Sequence, residues 1–208
     1  MTIHTFVLGP IKNNTYLIVD NESRAAALID PAAPTNQITS LLDQQDLILK
    51  YILITHAHFD HITGVKWART LSKEHIPVTL HNLDIDLWKD GGGSRNFGFE
   101  LDAGPVPDVI VADQQVIQMN GLTFTVLHTP GHSRGHVTYY FPAENTAFCG
   151  DLIFRHGVGR TDLEGCSTAD LMKSIHEKIF TMPDDTILYP GHGEATTVEE
   201  EKENNPFL

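Results

Sequence analysis

The chain has 208 residues, 41% hydrophobic and 20% charged, with a formal net charge of −13. That is enough apolar material for a sizeable core and too little charge for disorder over most of its length, so a single domain spanning residues 1–208 is expected. Only 14 Lys and Arg are spread along it, no apolar run is long enough to span a membrane, and Cys149 and Cys166 make no disulfide framework; nucleic acid, membrane and disulfide-scaffold readings are set aside.

The elements alternate in type. Ile3–Leu8, Tyr16–Val19 and Ala26–Ile29 read as strands, with hairpin-like punctuation at Asn13-Asn14 and a stop at Asp30-Pro31. The opening segment Met1–Pro10 lacks the basic start and apolar block of a secretion signal, which predicts a cytoplasmic protein. Thr35–Asp46 reads as a helix with Ile38, Leu41 and Leu42 on one face. A β-branched run, Tyr51–Ile54, predicts a buried strand, followed by a helix over roughly Gly64–Glu74 and a strand at Val78–Leu80. Lys89–Pro107, with Gly91-Gly92-Gly93, Phe97 and Phe99, reads as a long loop, either a surface insertion or a lid over a site. Strands are then expected at Val109–Val111, Val116–Met119, Thr123–Leu127, Val137–Phe141, Thr146–Cys149 and Ile187–Tyr189, with a hairpin turn at Asn120-Gly121. Helices are expected at Ser167–Phe180, capped by Ser167, and around Thr197–Asn204. Two successive β-rich halves with helices attached suit two sheets packed face to face with helices outside, an α/β architecture.

Twelve histidines are the compositional oddity, and the strongest cluster is Thr55-His56-Ala57-His58-Phe59-Asp60-His61. It follows a buried strand. Alternate side chains of an extended segment share a side, so His56 and His58 can face one metal ion together. Asp60 and His61 follow at a bend and can face a second. Such a set is hard to explain as packing, and it suits zinc, iron or manganese. Four ligands are too few for two ions. Three further turns, each after a strand, supply candidates: His132 in Thr129-Pro130-Gly131-His132-Ser133, Asp151 in Gly150-Asp151, and His192 in Tyr189-Pro190-Gly191-His192-Gly193. Asp151 is placed to bridge. His136 reads as a supporting or core residue. His4, His75, His81, His128, His156 and His176 have no partner motif, and Cys149 reads as core. Arg160 is open between gripping a substrate carboxylate and tying its own loop through Asp162.

Thr55–His61 with His132, Asp151 and His192 resembles the metallo-β-lactamase superfamily over nearly the whole chain. The resemblance implies a four-layer αββα sandwich, one ion on His56, His58 and His132, another on Asp60, His61 and His192, and Asp151 between them, with zinc the expected ion and iron or manganese the alternatives. Gly159-Arg160-Thr161-Asp162-Leu163 and the stretch from Pro190 through Phe207 are most similar to short glyoxalase II-like hydrolases. That implies a hydroxyacyl thioester, a small molecule, as substrate and Asp60 and Asp151 as catalytic groups. A thiol leaves readily because its ordinary pKa is about 8.5, and no dedicated general acid stands out. The glyoxalase II helical domain that helps hold glutathione has no counterpart after His192, which predicts loose selectivity for the thiol. Aspartate at 151, where many class B β-lactamases use cysteine, argues against a dedicated antibiotic hydrolase.

Two rival readings stand beside this one. Persulfide dioxygenases are similar around His176–Phe180 and the Gly-Arg-Thr-Asp stretch, and would use His56, His132 and Asp151 on one iron. A non-enzymatic metal-dependent binding module would take up metal and turn over nothing. Oxygen-reducing diiron relatives carry Glu where His58 stands.

Overall fold

A computed structural model describes residues 1–208. The first half contributes β1 (Thr2–Leu8), β2 (Asn13–Val19), β3 (Ala25–Ile29), α1 (Asn36–Gln44), β4 (Ile48–Leu53), α2 (Phe59–Ile62), α3 (Val65–Ala68), β5 (Val78–His81), α4 (Ile85–Lys89) and β6 (Val109–Val111). Its strands form a six-stranded sheet in chain order, antiparallel through β3 and parallel from there to β6. The second half adds β7 (Val116–Met119), β8 (Leu122–His128), β9 (Val137–Phe141), β10 (Thr146–Gly150), β11 (Ile153–Phe154), β12 (Gly157–Val158), α5 (Thr168–Ser174), β13 (Ile187–Pro190), β14 (Thr196–Thr197) and α6 (Val198–Asn204). Six of these strands make the second sheet, ordered β14-β13-β10-β9-β8-β7, while β11 and β12 form a separate small hairpin. No helix is long and apolar enough to cross a membrane.

The layering follows from burial. β2 and β3 are buried at every position, as strands covered on both faces must be. Successive side chains point to opposite faces. Leu17 and Val19 thus join Ile38, Leu42, Val65 and Ala68 in a layer beneath the helices. Tyr16 and Ile18 meet Phe124, Val126, Tyr139 and Phe148 between the sheets. A third layer packs Ala147, Cys149 and Leu188 against Leu171, Ile175 and Ile179 of the α5 region. Three apolar cores between four layers, two of helices and two of strands, make the expected αββα sandwich.

Several boundaries differ from the sequence reading. The helix expected over Gly64–Glu74 ends at Ala68. The amides of Thr70 and Leu71 bond only three residues back, and the Thr70 hydroxyl donates to the Trp67 carbonyl, which closes the turn before the chain enters β5. Asn13-Asn14 is not a turn: both residues are buried in β2, and the turn lies at residues 9–12. The stretch Lys89–Pro107 is more ordered than a long irregular loop. It contains a 3₁₀ turn at Ser94–Phe97 and is pinned by Trp88 Nε1 to the Gly104 carbonyl and by the Leu101 amide to Ser94 Oγ. The helix beginning after Ser167, whose hydroxyl accepts from the Asp170 amide, turns into a π-helical segment at Ile175–Ile179. The Asn120-Gly121 turn between β7 and β8 is as expected, with Asn120 at φ 50°.

One polar contact ties the two sheets together where β4 ends. The hydroxyl of Tyr139, fully buried on β9, donates to the Ile54 carbonyl at 2.8 Å and shares a 2.7 Å hydrogen bond with Thr79 Oγ1 on β5. Ile54 directly precedes the histidine-rich segment, so this contact sets the height at which that segment leaves the sheet. Removing the hydroxyl strands two buried groups. Tyr139→Phe is expected to lower the unfolding free energy by about 1–3 kcal/mol, read from urea denaturation midpoints at unchanged m-value.

Candidate metal centre

Four loops converge at the carboxyl ends of β4, β8, β10 and β13, and they carry all seven predicted ligands. His56 and His58 lie in the extended segment between β4 and α2, and α2 brings Asp60 and His61 round. The ligating atoms fall into two groups, His56, His58 and His132 in one, Asp60, His61, Asp151 and His192 in the other, each group within 4.8 Å. His58 Nδ1 lies 2.8 Å from His132 Nε2. Asp60 Oδ2 lies 3.1 Å from His192 Nε2 and 3.4 Å from His61 Nε2. Asp151 stands between the groups: Oδ1 is 3.3 Å from His61 Nε2, and Oδ2 is 3.6 Å from both His132 and His192.

The rings are held from behind. His61 Nδ1 donates to Asp30 Oδ2 at 2.9 Å, His132 Nδ1 donates to the Arg160 carbonyl at 2.9 Å, and His56 Nδ1 lies 3.1 Å from Thr55 Oγ1. In each case Nε2 is left facing inward, the arrangement that prepares imidazole for a metal. His56 Nε2, His61 Nε2 and Asp151 Oδ1 are buried with no hydrogen-bond partner. Buried polar atoms are rarely left so unless something else satisfies them. Two divalent ions fit this donor set, because the orphaned atoms are the ones that converge.

Electrostatics point the same way. Burial and the surrounding imidazoles hold His56 well below the ordinary histidine pKa, and burial with His132 brings His58 down to about 3. Both present neutral lone pairs. Burial also opposes charge on His61, but Asp60, Asp151 and Asp30 outweigh it and raise its pKa well above the ordinary range. Burial would raise Asp151, yet His61, His132 and His192 pull it well below the carboxylate range. The second group is thus a carboxylate-rich nest that attracts positive charge.

Five residues to which the sequence reading gave no part in the site build the frame. Asp30 sits at φ 47°, in the left-handed region, and accepts from the Thr55 amide, the Thr55 hydroxyl and His61. An aspartate closing a strand before Pro31 was visible as a stop signal, but not as a clamp. Asp84, buried after β5, accepts from the Ala57 amide at 3.0 Å, Ser133 Oγ at 2.7 Å and the Gly135 amide at 2.6 Å. Nothing local in the sequence marks it. Asn14 donates through Nδ2 to the Pro190 and Gly193 carbonyls, holding the His192 turn on β2, and Asn13 reaches Asp60 at 3.4 Å. Gly191 passes directly under the site: a Cβ there would collide with Asp151 and come within 2.7 Å of the His61 ring.

The remaining predicted residues sort clearly. His136 belongs to neither group; it is fully buried, 5.2 Å from the His56 ring, and shares a hydrogen bond with Thr129. Cys149 is core, its thiol pushed up by burial. Arg160 directs Nε and Nη2 to Asp162 at 2.7 and 2.8 Å, the loop-tying arrangement of the two that were open. His75 and His156 pair with Asp108 and Glu200, and His81 stacks on His128, all outside the two groups. Phe97 and Phe99 pack on Phe59, and Phe97 lines a cavity of about 870 Å³ whose floor includes His58, Asp60, His132, Asp151 and His192.

Comparison with known proteins agrees with this geometry. The model of the metallo-beta-lactamase superfamily matches residues 8–192, and the chain belongs to that family. Bacillus subtilis YqgX, named a probable metallo-hydrolase, is 36% identical over 97% of this chain and 94% of its own. Haemophilus influenzae GloC, named a hydroxyacylglutathione hydrolase, is 32% identical over 100% and 98%. Among solved structures, the BLEG-1 B3 metallo-beta-lactamase superposes with a TM-score of 0.93 at 36% identity, covering 100% of this chain and 99% of its own. TTHA1623 in a di-iron-bound form gives 0.87 at 37%, covering 99% and 100%. ETHE1 from Myxococcus xanthus gives 0.82 at 29%, covering 99% and 84%. The chain is a metallo-hydrolase of this superfamily, with His and Asp clusters suited to two metal ions.

The clamp by Asp84 is testable without metal or substrate. Asp84→Ala leaves two buried amides and a hydroxyl without their acceptor, so a loss of roughly 3 kcal/mol of unfolding free energy is expected in chemical denaturation. A loss below about 0.5 kcal/mol would show that the two loops hold themselves.

Proposed function

We propose that this protein is a thioesterase of glyoxalase II type, hydrolysing a hydroxyacyl thioester at a dinuclear site on His56, His58, Asp60, His61, His132, Asp151 and His192. The observation that carries the reading is the position of Asp151, within 3.6 Å of a histidine in each ligand group, on the floor of a cavity large enough for a thioester with its carrier. Full-length similarity to a protein named hydroxyacylglutathione hydrolase supports the substrate class. That relative is matched over 98% of its own length, and selectivity for the thiol carrier, expected to be loose, is part of what the activity panel measures. Zinc is the proposed ion. A neighbour solved in a di-iron form makes iron the first alternative.

Two divalent ions at this site would acidify a shared water and polarise an acyl carbonyl. The chain's own residues do the rest. Asp151 holds the two ligand groups in register. Asp60, flanked by His61 and His192, is placed to hold the proton that the attacking water gives up. Water oxygen adds to the acyl carbon, the C–S bond breaks with its electron pair on sulfur, and the thiol departs as thiolate. Such a leaving group needs little acid help, because its ordinary pKa is about 8.5. Phe59 of α2 carries Phe97 and Phe99 packed on its ring, and Phe59 and Phe97 give the cavity an apolar edge beside Asp60.

Metal analysis paired with an activity panel tests this. Saturation at two ions per chain is expected, with His132→Ala emptying mainly one position and His192→Ala mainly the other. Saturation at one iron, with persulfide oxidation and no thioester turnover, would replace the reading with the dioxygenase one. Preferred turnover of a β-lactam, the third arm, would also overturn it. Asp151→Ala is expected to cut kcat/KM by at least a hundredfold, about 2.7 kcal/mol, while the fold persists by circular dichroism.

A further inference from the structure

The cavity above the metal centre carries two guanidiniums, and only one is committed. Arg160 is held in a two-point pair by Asp162. Arg134 lines the same cavity and forms no ion pair and no side-chain hydrogen bond. We infer that Arg134 is the residue by which this site reads an oxyanion, carboxylate or phosphate, carried by the substrate away from its reacting carbonyl.

The backbone that presents Arg134 is fixed on three sides. Ser133 Oγ and the Gly135 amide both bond to Asp84, and the Arg134 carbonyl accepts from His128 Nε2 at 2.9 Å. The stem of the side chain lies against Gly165, where a Cβ would come within 3.3 Å of Nε and 3.7 Å of Cγ. Gly165 has φ +84°, so the facing loop is bare at the point where the arginine crosses it. A rigid base and a seated stem leave mainly the guanidinium free to move. That lowers the entropy lost when its planar fork closes on an oxyanion. Arg134 stands two residues from His132, and both line the cavity.

The other charges around the cavity strengthen the case. Asp84 is saturated by three donors, Asp86 faces Lys89 at 3.9 Å and Asp90 faces Arg95 at 3.7 Å, which leaves Glu164 as the lining carboxylate outside the metal centre that has no cation partner. Apolar walls are supplied by Leu83, Leu87 and Phe97 on one side and Phe154, Val158 and Leu163 on the other. An anionic ligand with an apolar or amide body therefore finds one free cation, and acidic side chains where it should not go. A substrate whose carrier ends in a neutral group gains nothing from Arg134. The inference takes the substrate's reacting end from the thioesterase reading, but the binding claim can be tested apart from it.

The probes are unreactive S-alkyl thioethers of one skeleton ending in a carboxylate, a phosphate or a neutral amide. Each is titrated calorimetrically into the metal-loaded full chain and into Arg134→Gln, Arg134→Lys and Arg160→Gln proteins. The wild type should bind at least one charged probe roughly tenfold more tightly than the amide, Arg134→Gln should abolish that preference, and Arg134→Lys should keep part of it. Which charged probe gains identifies the oxyanion. Matched thioesters should show the same preference in kcat/KM, lost in Arg134→Gln through KM, with the amide-ended substrate unaffected. A charged-probe preference that survives in Arg134→Gln, is absent from the wild type, or is removed only by Arg160→Gln overturns the inference. Probe preference without thioester turnover would sink the thioesterase reading and leave this one standing.

Discussion

The peptide from Thr55 to Ala57 is clamped between two buried carboxylates, and the site depends on that clamp. Asp30 takes the amide and hydroxyl of Thr55 from one side, and Asp84 takes the amide of Ala57 from the other. Each carboxylate also reaches a second part of the site, Asp30 the His61 ring and Asp84 the turn at Ser133–Gly135. Burying a carboxylate is expensive unless its lone pairs are filled. Here several donors fill them. The same bonds therefore stabilise the carboxylates and aim the imidazoles. Losing either would cost structure and geometry together.

Around that clamp the sandwich acts as a jig. β2 is buried on both faces, so its asparagines cannot meet water and must find partners within the protein. Asn14 finds them in the carbonyls of the His192 turn, which joins the first sheet to a loop of the second. Tyr139 makes the reciprocal connection, from the second sheet to the end of β4. Gly191 lets backbone approach Asp151 and His61 more closely than any side chain would allow, and Gly150 does the same for Thr55 and His136 behind them. The ligands are thus brought together by contacts that cross between the two sheets, and the convergence of loops from both halves follows.

How much of this was legible in sequence depended on distance along the chain. His56, His58, Asp60 and His61 sit within one short run: strand alternation aligns His56 with His58, and the bend that follows turns Asp60 and His61 toward a second position. The single ligands at 132, 151 and 192 were legible because each ends a strand at a Gly- or Pro-Gly-marked turn. The layered fold was legible from apolar strands arranged in two successive halves. The errors share a cause. Asn13-Asn14 looked like a turn because asparagine prefers turns, and only the tertiary partners of their amides keep them in a strand. The helix after Gly64 was drawn too long because its apolar spacing continues past the point where Thr70 bonds the turn closed. Asp30 and Asp84 had no local signal of their role, since every group their carboxylates bind lies at least 25 residues away.

Electrostatics give the last step. The chain carries a net charge of −13, which by itself would repel an anionic substrate. The field inside the cavity is a different matter. Of the seven candidate ligands only Asp60 and Asp151 are carboxylates, so two divalent ions held there would leave the floor positive. Of the rim carboxylates, Asp86, Asp90 and Asp84 are answered by Lys89, Arg95 and the donors around Asp84, and Glu164 is not. Screening over about 8–10 Å at physiological salt weakens the distant negative charge far more than the contacts within the cavity. An anionic ligand would then be oriented as well as attracted, its reacting carbonyl toward the floor and its charged end toward the one free guanidinium. A surface that repels anions generally and a cavity that admits them in one orientation are compatible, and together they favour ligands that carry both features over anions in general.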